Sequence, residues 1–293
     1  MKPLFLGTGT ALVTPFRNDQ IDWEAYEQLI EEQIAGGVTA LIAAGTTGEP
    51  STMTWEEQLQ VIRFTADKAK DRVCVIAGTG SNCTREVIEA AKAVRDVGAH
   101  AQLCVTPYYN KTTQDGLVAH YNAIADSDTL PVIVYNVPGR TGMNILPGTL
   151  QRIVQHENVV AVKEANADFV QAMEKIMLCG DQATFYSGSD ELIVPLMNIG
   201  FKGVISVLSN IAPRATSDMT TLALNGEWEK ANALQLKYLP FIQALFCETS
   251  PIPAKTALAL MGKMSDEVRL PLVPMSEGNK QKMAALMKEL NLL

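Results

Sequence analysis

Residues 131–188 read PVIVYNVPGRTGMNILPGTLQRIVQHENVVAVKEANADFVQAMEKIMLCGDQATFYSG. Three short apolar runs, Pro131–Val137, Val159–Glu164 and Thr184–Gly188, are separated by two longer stretches, Pro147–Gln155 and Asp168–Leu178, with helical apolar spacing. Runs this continuously apolar are expected of strands covered on both faces. Strand, helix, strand, helix, strand predicts parallel pairing through helical crossovers.

The alternation continues in both directions. Upstream lie strand-like runs Leu4–Val13, Thr39–Ala44, Val73–Gly78 and Ala101–Thr106, interleaved with amphipathic stretches Trp23–Ala35, Trp55–Lys70, Arg85–Val97 and Thr113–Ala125. Downstream come Glu191–Ile199, the run Gly203–Val207, and Pro213–Leu224. Thr54 and Glu57 have capping-box spacing, Pro147 and Pro213 suit first helical turns, and Gly36, Gly98 and Gly200 suit helix exits. Eight strand–helix units predict an α/β fold, a closed (β/α)8 TIM barrel. An open doubly wound sheet fits less well, because it has fewer strands and no GxGxxG turn follows the first run. Residues 1–225 are expected to form the barrel and carry the active site. Residues 226–293 are expected to form a helical unit of three helices, Glu227–Phe246, Ala254–Met261 and Ser276–Leu290, packed on the barrel or on another subunit.

Composition narrows the function. The 293 residues are 47% hydrophobic and 19% charged, which suits a packed globular chain. Twenty-four Lys and Arg against 32 Asp and Glu give a net charge of −8, with no basic stripe for nucleic acid or an anionic membrane. No apolar run reaches the ~20 residues of a membrane span, and Gly7 to Thr10 interrupt the first run, so it lacks a signal-peptide core. The five cysteines form no CxxC or Cys/His cluster, and the three histidines are scattered. These features predict a reduced, cytoplasmic chain without a metal site. Walker, HExxH and GxSxG motifs are absent, and the last two strands lack a glycine-rich phosphate cradle.

Barrel enzymes place their chemistry at the C-terminal ends of strands. The ends here are GTTGE (45–49), TPYYN (106–110), YNVPGRTG (135–142), VKE (162–164) and SGSD (187–190). Alternation puts Val159, Ala161 and Lys163 on one face of their strand. If that face is the barrel interior, Lys163 is desolvated, its amine is neutral, and it can form a Schiff base with a carbonyl. The competing reading is an ion pair with a carboxylate such as Glu164, or a side chain reaching solvent. Tyr135, one strand earlier, can relay protons or serve as a core aromatic. Thr46 and Thr47 offer hydroxyls and N–H groups to a carboxylate, or form a simple turn. Arg140 offers a bidentate fork to a second carboxylate, or is a solvated loop arginine.

In their order and placement these motifs, with GVISV (203–207) and PIPAK (251–255), strongly resemble the dihydrodipicolinate synthase / N-acetylneuraminate lyase family over essentially the whole chain. The resemblance is greatest to the synthase branch. Its members condense pyruvate with L-aspartate-4-semialdehyde on the route to diaminopimelate and lysine, without metal or organic cofactor. It implies that Lys163 forms the imine and that Tyr135, Thr47 and Tyr109 form a proton relay, Tyr109 reaching the neighbouring subunit. It further implies that Thr46 and Thr47 hold the pyruvate carboxylate, that Arg140 holds the semialdehyde, and that Gly188 and Ile205 line the site. A homotetramer is the family habit. The sialic-acid lyases resemble this pattern but lack an arginine at the Arg140 position, which sets a retro-aldolase of sugar acids second. A catalytically inactive pyruvate-binding barrel would not need the complete set. Lysine-inhibited members bind lysine near positions matching Asn82, Glu86 and Tyr108, all retained here. Trp55 and Gln58 stand where those members often carry histidine, so weak or absent lysine inhibition is expected.

Overall fold

The computed structural model describes residues 2–127 and 130–293. In chain order the elements are β1 (Gly7–Ala11), β2 (Phe16–Arg17), β3 (Gln20–Ile21), α1 (Trp23–Ala35), β4 (Ala40–Ala43), α2 (Trp55–Ala69), β5 (Cys74–Gly78), α3 (Thr84–Asp96), β6 (Ala101–Val105) and α4 (Gln114–Asp126). There follow β7 (Val132–Asn136), α5 (Pro138–Thr141), α6 (Pro147–Ile153), β8 (Val159–Glu164), α7 (Phe169–Cys179), β9 (Thr184–Ser187), α8 (Ile193–Asn198), β10 (Gly203–Ser206) and α9 (Pro213–Leu224). The C-terminal helices are α10 (Trp228–Ala244), α11 (Ile252–Leu260) and α12 (Glu277–Glu289). Strands β1, β4, β5, β6, β7, β8, β9 and β10 pair in parallel in that order, and β10 returns to β1. The expected (β/α)8 barrel is the observed fold.

The barrel closes where Gly7 pairs with Gly203. A Cβ on Gly203 would lie 1.9 Å from the Gly7 carbonyl oxygen, and its φ is +153°. Only glycine lets these two backbones meet at the seam.

Strict alternation fails in β8. Val132 of β7 pairs with Val159, but Ile133 pairs with Ala161, so Val160 is an inserted residue. Val159 and Val162 pack outward with the helices, whereas Val160 packs against the interior cluster that contains Ala161. The sequence reading placed Val159 on the Lys163 face and Val160 opposite. The bulge reverses those two, while Ala161 and Lys163 keep the predicted direction.

Three further differences are local. The first strand begins at Gly7 rather than Leu4, because Phe5 stacks on Tyr186, with ring centroids 4.1 Å apart, beneath the barrel. The loop expected around Arg140 is the one-turn helix α5, opened by Pro138 and closed by Gly142 in the left-handed conformation. The hairpin β2–β3 was not expected. Its turn residues Asn18 and Asp19 both have positive φ, as a two-residue type I′ connection requires.

Two apolar layers support the strands. The interior holds Ile42, Ile76, Leu103, Ile133, Ala161, Tyr186 and Ile205. A second cluster, outside the strands, merges Phe16, Tyr26, Leu41 and Leu208 with Phe241, Leu258, Met283 and Met287 from the C-terminal helices. The tail thus shares core with the first barrel units. Among the described residues no helix is long and apolar enough to cross a membrane.

Candidate active site

The register across three strands sets the centre of the site. Tyr135 on β7 sits opposite Lys163 on β8, which sits opposite Tyr186 on β9. Below them the packed interior closes the barrel, with the Tyr186 hydroxyl donating 2.8 Å to the Phe5 carbonyl. Lys163 is 6% exposed, and its ammonium lies 4.3 Å from the centre of the Tyr135 ring.

Burial is the main reason that the Lys163 pKa falls from 10.5 to about 7. The Asp190 carboxylate opposes the fall, and the positive charge of Arg140 adds to it. At neutral pH the amine is therefore about half uncharged. Asp190 is itself buried and its pKa is raised, chiefly by desolvation. It accepts the backbone N–H groups of Val207 and Leu208, each at 2.9 Å. Sequence reasoning quoted Asp190 at the end of its strand and assigned it nothing. Its position directly after Gly188-Ser189 was the available signal.

The competing reading, a Lys163–Glu164 ion pair, is not what the structure shows. Glu164 turns to the helix side, where Lys175 of α7 donates to it at 2.6 Å with both side chains buried. The Asn136 amide and the Asn166 N–H also donate to Glu164, each at 2.8 Å. Neighbours on one strand thus occupy opposite faces. Glu164 is neutralised between strand and helix, and Lys163 has no adjacent carboxylate from its own strand.

Tyr135, whose ring meets the Lys163 amine, borders a cleft of about 740 Å³, lined also by Thr46, Val137, Arg140, Glu86 and Tyr108. The Tyr135 pKa is pushed up to about 12 by burial, with Arg140 and a hydrogen bond from Thr46 opposing. The phenol is neutral and can both give and accept a proton. Thr46 and Thr47 lie in a 3-10 turn, Thr46–Gly48. Thr46 faces the cleft, and Thr47 is buried outside its lining. Thr46 and Tyr135 line the cleft together.

Arg140 stands exposed at the rim on α5. That turn is fixed to β6 by the Thr106 hydroxyl, 3.1 Å from the Thr141 hydroxyl. Gly188 packs beside the lysine stem. A Cβ there would lie 3.1 Å from Lys163 Cε and 2.7 Å from Ala165 Cβ. Ile205 is buried in the interior cluster beneath. Tyr109 has φ +68° and is 91% exposed, outside the cleft.

Of the remaining expected residues, Glu86, Tyr108, Trp55 and Gln58 line the same cleft, and Asn82 is bonded to Tyr108 beside it. Glu86 accepts the Ser81 hydroxyl at 2.8 Å, and the Asn82 amide donates to the Tyr108 carbonyl at 3.3 Å. Trp55 is half exposed, while Gln58 donates to the Pro50 and Met53 carbonyls. Among the described residues no three His, Cys, Asp or Glu side chains converge as metal ligands would.

Fold and site together define a (β/α)8 barrel with a desolvated interior lysine packed on a tyrosine that lines a polar cleft, the class built for carbonyl capture as a Schiff base. The model of the Dihydrodipicolinate synthetase family matches residues 4–290, and the chain belongs to that family. It is 52% identical over 290 residues to the 4-hydroxy-tetrahydrodipicolinate synthase of Geobacter sulfurreducens, covering 99% of this chain and all of that one. Its structure is similar to that of the dihydrodipicolinate synthase of Thermotoga maritima, with a TM-score of 0.98, 42% identity, and coverage of 99% and 100%. It is also similar to the chloride-inhibited dihydrodipicolinate synthase of Acinetobacter baumannii in complex with pyruvate, with a TM-score of 0.96, 42% identity, and coverage of 98% and 99%.

Proposed function

We propose that this chain condenses pyruvate with L-aspartate-4-semialdehyde to give 4-hydroxy-tetrahydrodipicolinate, in lysine biosynthesis through diaminopimelate. The observation that carries the reading is the buried Lys163 amine held over the Tyr135 ring, with its pKa lowered to about 7. The family membership and the named relatives support the same activity.

The neutral Lys163 amine attacks C2 of pyruvate, and the carbinolamine loses water to form an imine. Tyr135, backed by Thr46, passes the protons that this addition and loss require. Loss of a proton from the pyruvate methyl gives an enamine, whose carbon attacks the semialdehyde carbonyl. The semialdehyde amine then attacks the imine carbon, closes the ring and frees Lys163. One water leaves, and no electrons are gained or lost overall.

Each substrate carries a carboxylate. The Thr46–Thr47 turn would hold that of pyruvate, and Arg140 at the rim that of the semialdehyde. Gly188 and Ile205 shape the space beside and below the imine. Thr47 and Tyr109 would complete the relay, Tyr109 serving a neighbouring copy, which accords with its exposure and with a cytoplasmic homotetramer. The route needs no metal or organic cofactor. Borohydride reduction in the presence of pyruvate, followed by peptide mass mapping, tests the reading. The expected adduct is on Lys163, with turnover of the semialdehyde and none of N-acetylneuraminate. An adduct elsewhere, or none, would overturn it.

A further inference from the structure

The turn assigned to the pyruvate carboxylate is not self-supporting. Glu49, which ends it, sits in the left-handed region at φ 57°, ψ 41°. A non-glycine residue holds that conformation only where its surroundings impose it. On the near side the restraints are the Gly48 N–H to the Gly45 carbonyl and the Thr14 hydroxyl to the Gly48 carbonyl, each at 2.8 Å. On the far side they come from the C-terminal segment.

Lys255 on α11 donates to Glu49 Oε1 at 2.6 Å, with both side chains buried. The Arg269 backbone N–H lies 3.3 Å from Glu49 Oε2. The Arg269 side chain then fastens the chain that follows the turn. It donates to the Thr52 carbonyl at 3.0 Å and to both carboxylate oxygens of Glu57, at 3.0 and 2.7 Å. It also holds the β2–β3 hairpin through the Asp19 carbonyl and carboxylate. Lys255 and Arg269 lie 4.2 and 4.3 Å from the centre of the Phe16 ring on that hairpin. Both carboxylate oxygens of Glu49 and the Lys255 amine are spent on these contacts, on the side of the turn that packs against the C-terminal segment.

A buried ion pair is a poor device for stability alone, since desolvation offsets much of its attraction. Its direction and length do fix the main chain that carries it. We infer that Lys255 and Arg269 are positioning residues for pyruvate capture, holding Glu49 and with it the Thr46 and Thr47 groups in the carboxylate-binding arrangement. The inference rests on the pyruvate reading above and gives the C-terminal helices a part in it.

The test is steady-state kinetics of the full-length chain with both substrates. The double variant Glu49→Gln/Lys255→Met removes both charges, so no unpaired buried charge remains to unfold it. Its pyruvate KM should rise at least tenfold. Its semialdehyde KM, set by Arg140 on another strand end, should stay within twofold, while its kcat falls too, because the same turn backs Tyr135 in the relay. A pair that only stabilises would lower the melting temperature and leave the pyruvate KM unchanged, which would overturn the inference. Should the double variant not fold, Arg269→Met acts on a partly exposed side chain. A severalfold rise in pyruvate KM supports the inference, and an unchanged value refutes it. Pyruvate–borohydride labelling of the unaltered protein separates the two failures. Without a Lys163 adduct the pyruvate reading itself is wrong; with the adduct and an unchanged KM, only the positioning role is.

Discussion

Replacing Lys163 with Met should abolish turnover and make the protein more stable, by an amount that depends on pH. In the unfolded chain the amine keeps its proton up to its ordinary value near 10.5, whereas the folded state releases it near 7. Between those values the unfolded state binds more protons, so the contribution of this group to stability rises with pH. Its cost is complete below pH 7 and disappears above 10.5. At about 1.4 kcal/mol for each tenfold change in proton affinity, the cost is about 5 kcal/mol at pH 6, about 3 at pH 8 and about 1 at pH 10. Methionine has a similar length and no charge, so it should recover most of each amount. Urea denaturation of both proteins at the three pH values measures the gap. A gap that is constant from pH 6 to pH 10, or a Met variant that is less stable throughout, would refute the desolvation argument. The same burial confers the reactivity. At pH 7 about half the amine is neutral, against roughly one part in three thousand for an unperturbed lysine.

Two further outcomes follow from buried charge and from the cleft. Lys175→Met leaves Glu164 charged and unpaired behind the active strand. It should cost about 3–5 kcal/mol by urea denaturation, and Glu164→Gln/Lys175→Met should recover most of that. Lysine should inhibit weakly or not at all, because the indole of Trp55 lacks the paired donor and acceptor of an imidazole; potent sub-millimolar inhibition in a steady-state assay would contradict this.

The barrel was legible because strands covered on both faces must be apolar, and the helices between them carry their own start and stop signals. Trp23–Ala35 and Pro213–Leu224 match the structure at both ends for that reason. The inserted Val160 was not legible, since a valine is equally at home on either face and no Gly or Pro marks the bulge. Lys163 and Tyr135 could be placed because alternation survives beyond it. The pairs Glu164–Lys175 and Glu49–Lys255 escaped for another reason. In sequence Lys175 reads as the solvent side of an amphipathic helix, and Lys255 lies 206 residues from its partner. A long-range charge pair leaves no local periodicity. Arg140 was found as a residue but not as part of a helix, because four residues are too few to show a period.

The glycine seam has a consequence for how the protein is made. β1 is the first barrel strand to leave the ribosome, yet one of its two neighbours, β10, is the last. Until translation has delivered Gly203, the nascent cylinder is a curved, open sheet with two unpaired flanks, on β1 and β9, the kind of flank to which other nascent chains can add. Closure also waits on a contact of very long sequence separation, which is slow to form. Two small residues at the join keep that last approach free of side chains that would have to be moved aside.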